Sequence, residues 1–193
     1  MGWVNILIVM ALSWLVVVKA DLKEDHLEEH NRLRKKHGSP PLELDDELTK
    51  GCEAYAKVLA ANAKLEHSKS AGKYSENLCI RSEEPLQCVQ DWYDEISDYD
   101  FEKGEFVMTT GHFTALVWKN TNKMGVGQAK DSNGNYWVVV RYYPPGNVNG
   151  QFKENVLPLI DEEGDGQEGN FNMVQVNTII IFIMLWVCYH STN

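Results

Sequence analysis

Partway along the chain the spacing of apolar residues changes from three-to-four to two. That change limits the fold more than any other feature. In the first part, Leu48, Cys52, Tyr55, Leu59 and Ala63 recur at helical spacing behind Asp45 and Asp46, either of which can cap a helix. Leu86, Val89, Tyr93 and Ile96 form a second stripe, with Pro85 suited to a first helical turn and Asp91, Asp94, Glu95 and Asp98 on the opposite face. Asp21–His37 is charged and helical in character and stops at Gly38 and Pro40-Pro41. Thr109-Thr110-Gly111 leads into a short apolar helix over His112–Lys119. Beyond it, Gly125–Lys130 and Tyr136–Tyr143 flank the turn signal Asp131–Asn135, which predicts a β-hairpin. His67–Glu84 reads as a polar connection. The expected class is α+β, with helices packed on a small, mainly antiparallel sheet.

The two ends are apolar out of proportion to this middle. Residues 3–18 form an apolar run, and Val18-Lys19-Ala20 offers a signal-peptide cleavage site ahead of a charged chain starting at Asp21. At the other end, Thr178–Tyr189 is apolar but shorter than the roughly 20 residues that span a bilayer, and no Lys or Arg follows it. A small-residue site near Gly164–Asn170, a polar spacer and a short apolar terminus match a glycolipid-anchor signal, with a short transmembrane tail as the competing reading. The expected organisation is a signal peptide over 1–20, one domain over 21–160, an acidic and polar linker over 161–177, and a hydrophobic tail over 178–193.

Charge excludes one class of partner. The chain carries 28 acids against 18 bases, a formal charge of −10, and Asp161–Gly169 contributes five acids and no base. Nucleic-acid binding needs clustered Lys and Arg to displace counterions, and the one basic run, Arg32–Lys36, sits beside Glu28 and Glu29 and reads as solvated helix surface. Three cysteines lie in the body, Cys52, Cys79 and Cys88, so all three cannot pair internally; Cys79–Cys88 is the one short-range bridge to consider. Cys188 lies in the tail.

Chemistry-bearing residues are few. There is no Gly-x-Ser-x-Gly elbow, phosphate loop or His-Glu-x-x-His. His26, His30 and His37 belong to the charged first helix and are expected to be solvated, which leaves His67 and His112 as candidates. Spacing alone does not join them to any acid. An ordered set of motifs does more. Gly111-His112-Phe113-Thr114-Ala115-Leu116-Val117-Trp118, followed by Thr121, resembles the signature of the CAP superfamily, which includes cysteine-rich secretory, antigen five and pathogenesis-related proteins. Its company is His30-Asn31-x-x-Arg34, Leu65–Ser68, Ser75–Leu78 and Trp92–Ile96, with Val139–Asn147 resembling the second signature. The match spans about residues 26–158 and looks most like the Golgi-associated pathogenesis-related subgroup. Arg141-Tyr142 stands where the second signature usually has a cysteine, and no cysteine-rich module follows, so ion-channel toxicity is not implied.

The resemblance implies an α-β-α sandwich and a cleft where His67, Glu76, Glu95 and His112 meet. Two neutral imidazoles can take zinc, although no cofactor is required, and two carboxylates can orient the rings. It also implies a ligand loop: Tyr99, Phe101 and Phe106 have the aromatic spacing through which some members bind sterol. No catalytic residue is assigned. The expected role is binding of a lipid or sterol, or of an extracellular protein, by a secreted or surface-anchored domain whose membrane contact runs through the C-terminal tail. The alternative is a protease-like hydrolase using the His/Glu cleft, with Ser68 beside His67.

Overall fold

The computed structural model describes residues 21–160. The expected signal peptide, the acidic linker from residue 161 and the hydrophobic tail lie outside the described residues. Among the described residues no helix is long and apolar enough to cross a membrane.

Helix α1, Leu22–Lys35, starts where the Asp21 carboxylate accepts the Lys23 N–H at 3.1 Å. Glu24 and Asp25 in its first turn and Arg32, Arg34 and Lys35 in its last suit the helix dipole. A two-residue strand β1, Glu43–Leu44, precedes α2, Asp46–Asn62, which Asp45 caps through the N–H groups of Glu47 and Leu48. Strand β2 is Ser75–Arg81, and α3, Gln87–Asp94, runs on into a single 3₁₀ turn, Glu95–Asp98. After a second 3₁₀ turn, Met108–Thr110, come α4, Gly111–Val117, the hairpin β3 Lys123–Lys130 and β4 Tyr136–Tyr143, and the short α5, Phe152–Asn155.

The strands form one sheet in the order β1-β3-β4-β2. Both long pairings are antiparallel, and only β1 joins β3 in parallel. Side chains alternate across it. Leu78, Trp137 and Val139 face α2 through Cys52, Ala56 and Leu59. Val138, Val140 and Tyr142 face the other helices through Leu33, Trp92, Phe113 and Leu116. The result is the α-β-α sandwich. On the α2 side the layers touch backbone to backbone: a Cβ at Gly127 would overlap the main chain of Cys52 and Glu53.

Three sequence expectations need correction. Ser75–Arg81 is a strand, not part of a polar connection. It is an edge strand, and its buried polar residue, Asn77, hides the alternation. His26, His30 and His37 are fully buried, not solvated. The His30 ring donates from Nδ1 to the His26 carbonyl (2.6 Å) and accepts from the Tyr142 hydroxyl at Nε2 (2.9 Å). His37 is bracketed likewise by the Leu157 carbonyl (2.6 Å) and the Tyr93 hydroxyl (3.0 Å). Arg34, from the basic run, is also buried; it gives hydrogen bonds to the carbonyls of Pro40, Leu116, Trp118 and Thr121 at 2.8–3.0 Å. His30, His37 and Arg34 are tolerated inside because backbone and hydroxyl partners replace water, whereas among the described residues neither ring nitrogen of His26 has a partner. Cys79 and Cys88 form the disulfide, and Cys52 is free and buried, its thiol pushed up by burial to about 12.

Candidate functional site

The four candidate residues form two His–Glu pairs. His67 lies in the irregular segment after α2, and its Nδ1 donates to Glu76 Oε1 on β2 at 3.2 Å. Glu95 opens the 3₁₀ turn after α3, and its Oε1 accepts from Nδ1 of His112, the second residue of α4, at 2.6 Å. A carboxylate only accepts, so both rings carry their proton on Nδ1 and leave the Nε2 lone pair free. This is the carboxylate–imidazole arrangement that orients metal-binding histidines.

Local structure explains each pair. Thr110 gives no side-chain cap to α4. Glu95 Oε2 takes that role from a distance, accepting the N–H groups of His112 (3.0 Å) and Phe113 (3.1 Å). One carboxylate therefore starts the helix and aims its histidine. The His112 ring stacks on Trp92 at 6.2 Å and 26°. Glu76 is almost enclosed, with a side chain 5% exposed, while His67 is 62% exposed. Burial pushes the Glu76 carboxyl up, but hydrogen bonds from His67, from the Ser68 N–H and hydroxyl, and from Arg141 outweigh it and bring it down to about 2.

The pairs meet β2 on consecutive residues. Glu76 shares the α2 face with Arg141, and the next residue, Asn77, points to the other face and donates to the His112 carbonyl at 3.1 Å. The strand thus separates the pairs as well as linking them. Among the described residues no three His, Cys, Asp or Glu side chains gather closely enough to hold a metal ion. Both carboxylates are engaged by N–H donors, so a metal here would rest on imidazole nitrogens and not on a four-residue cage.

Ser68 is not placed as a nucleophile. Its hydroxyl donates to Glu76 Oε2 at 2.8 Å and lies 3.0 Å from the Tyr74 hydroxyl; it makes no bond to His67. In the aromatic loop the three candidates separate. Tyr99 is 7% exposed, its ring 4.9 Å from Phe101 and 5.6 Å from Phe113. Phe101 packs on Phe113 as well. Phe106 is 47% exposed and its ring edge lies against Gly111. It begins an exposed apolar run with Val107 and Met108, which sequence spacing did not single out. Of the signature residues, Phe113, Thr114 and Trp118 are buried. Thr114 bonds Asn147 at 2.7 Å, and Trp118 packs edge-on against Phe152 at 5.1 Å, so they seat the helix that carries His112. Arg141, Asn77 and Tyr74 also escaped sequence reasoning; the substituted cysteine position was the only mark on Arg141.

Comparison with known proteins agrees with this fold. The family model described as "CAP: Cysteine-rich secretory protein family" matches residues 27–143. The chain is 47% identical over 138 residues to human "Golgi-associated plant pathogenesis-related protein 1", covering 68% of this chain and 90% of that protein. It is 35% identical over 134 residues to "Pathogenesis-related protein 1A" of Nicotiana tabacum, covering 67% and 79%. Among solved structures, Schistosoma mansoni venom allergen-like protein 4 superposes with a TM-score of 0.55 at 22% identity, over 67% of this chain and 91% of that one. A structure titled NaASP2 with Zn2+ also gives 0.55 at 22% identity, over 71% and 85%. At these identities the structural likeness speaks for the fold.

Proposed function

This chain belongs to the CAP family of cysteine-rich secretory and pathogenesis-related proteins, and on that premise we propose that it is an exported binding protein for a lipid or sterol. The observation that carries this is the exposed run Phe106-Val107-Met108, with Met108 82% exposed, abutting the helix start that holds the His112–Glu95 pair. An apolar surface beside an oriented imidazole suits an amphiphile, whose body lies on the run and whose polar head reaches the imidazole. Tyr99 and Phe101 support the loop from inside. Turnover is disfavoured because the Ser68 hydroxyl is committed to a carboxylate and each histidine to its own glutamate. Zinc would be an accessory, held by the outer nitrogens of His67 and His112, with Glu76 and Glu95 fixing the rings. A bound metal would supply a Lewis-acidic contact for an oxygen-bearing head group.

The test is binding of radiolabelled sterol and of fatty acid to the purified protein and to a Phe106→Ser, Met108→Ser variant. Burying two such side chains is worth about 3 kcal/mol or more. The variant should therefore bind roughly a hundredfold more weakly at unchanged thermal stability. Equal binding by both proteins rejects the loop, and binding by neither rejects the lipid reading in favour of a protein ligand.

A further inference from the structure

His67 is the most exposed member of the candidate site and sits on irregular chain, so something must hold it still. The Glu76 carboxylate takes four donors on two oxygens. Oε1 accepts from His67 Nδ1 and from the Ser68 N–H (2.9 Å); Oε2 accepts from the Ser68 hydroxyl (2.8 Å) and from Arg141 Nε (2.9 Å). The Arg141 guanidinium is in turn held between two aromatic faces, 4.3 Å from the Tyr74 ring centre and 5.4 Å from that of Tyr55. Both tyrosines reach back to the His67 segment. The Tyr55 hydroxyl donates to the Glu66 carbonyl at 2.6 Å, and the Tyr74 hydroxyl meets Ser68 Oγ at 3.0 Å. The segment is therefore gripped at Glu66, His67 and Ser68 by one cluster centred on Arg141.

Helix α2 also makes room for that arginine. A Cβ at Gly51 would lie 2.6 Å from Arg141 Nη1. Glycine in a helix interior costs stability, so its presence opposite the guanidinium is a concession to this side chain.

We propose that Arg141 is the positioning residue of the site. Through Glu76, and braced by Tyr55 and Tyr74, it fixes the His67 ring with its proton on Nδ1 and its Nε2 lone pair directed outward for a ligand or metal. The use of that lone pair rests on the proposed binding role; the clamp itself does not. Lysine cannot replace arginine here, because an ammonium offers no planar face for the two rings and no fixed N–H fork for the carboxylate.

Long-range proton–nitrogen NMR on the ¹⁵N-labelled full chain reads the His67 tautomer directly. In the unaltered protein the Nδ1–H form should dominate. In Arg141→Gln and in Arg141→Lys the ring should relax to a free-imidazole mixture, with the proton mostly on Nε2. Gly51→Ala gives the same readout without deleting the charge: its new Cβ displaces the guanidinium while improving helix propensity, so a folding failure at position 141 does not end the test. A His67 signature unchanged in Gly51→Ala overturns the proposal, as does one unchanged in a folded Arg141→Gln. Zinc titration supplies the second arm. Affinity should fall about tenfold to a hundredfold in each variant, the usual effect of losing an outer-shell partner. If the unaltered protein takes no zinc, the metal role fails and the tautomer result still decides the clamp.

Discussion

Three buried neutral histidines, His26 and His30 on α1 and His37 just beyond its end, make the fold sensitive to mild acid. Burial holds His26 down to about 4 and His30 to about 3, the latter helped by the neighbouring His26 and Arg34; His37 is lowered too, mainly by burial. In the unfolded chain each returns to the ordinary value of 6.5. The unfolded state therefore binds more protons below that pH, and stability must fall as pH falls from 6.5 toward 4. Each histidine contributes about 1.4 kcal/mol per pH unit across its window. Between about pH 7 and pH 5, His26 and His30 together should remove about 4 kcal/mol, a large part of the 5–15 kcal/mol typical of a domain. The depressed carboxylates act elsewhere. Glu76 and Asp131, both near 2, contribute stability above their unfolded values of 4.5 and 3.8 that is lost only as pH falls through that lower range. Urea denaturation followed by tryptophan fluorescence, at constant ionic strength and several pH values, measures the slope. His26→Leu provides the control. Both nitrogens of His26 are buried without a partner, so the substitution should raise stability at neutral pH by about 1 kcal/mol and cut the acid slope by one proton. Stability constant to within about 1 kcal/mol from pH 7 to pH 5 refutes the reasoning, as does an unchanged slope in His26→Leu.

Two further outcomes are expected. Ala63 closes α2 in the left-handed region, at φ 48°, where glycine has no Cβ penalty; Ala63→Gly should stabilise the domain by about 1 kcal/mol, read as a rise of a few degrees in Tm. If the chain is exported as proposed, its mature form should end near Gly164–Asn170 and carry a glycolipid, because Thr178–Tyr189 is too short for a hydrocarbon core of about 30 Å; mass spectrometry that recovers a peptide containing Trp186 from the mature protein refutes this and favours a short spanning tail.

What the sequence made legible follows from what a hydrophobic pattern can express. The hairpin appeared because Val138 and Val140 go to one face, Val139 and Trp137 to the other, and Asp131–Asn135 turns between two apolar runs. Helix α2 appeared because an aspartate caps it and its stripe repeats at helical spacing, and α1 because its charged run stops at Gly38 and Pro40-Pro41. The failures share one cause. A residue such as Asn77, His30 or Arg34 is polar in any local window, and its burial is decided by partners 65 to 112 positions away, among them Tyr142 for Asn77 and His30 and Leu116 for Arg34. No periodicity within α1 or β2 carries that information, so β2 was read as connection and the buried face of α1 as solvent-facing.

The same limit applies to the candidate site. His67, Glu76, Glu95 and His112 are named in the sequence only by their places in motifs of a resembling family, since no spacing ties residue 67 to 76 or 95 to 112. The structure gives those places a physical sense that the motifs lack. Each glutamate has a structural role of its own: Glu95 caps the N-terminus of α4, and Glu76 neutralises a buried arginine. Removing either acid would therefore damage folding and orientation together, so loss of binding in such a variant says little about direct contact. His67 and His112 are the better probes. Among the described residues the outer nitrogen of each has no protein partner, and replacing either ring leaves its glutamate with other donors, the Ser68 N–H and Arg141 for Glu76 and the α4 N–H groups for Glu95. A binding defect in His67→Phe or His112→Phe at unchanged stability would thus report on the ligand itself, which is the separation that distinguishes a binding cleft from a polar network that only holds the layers together.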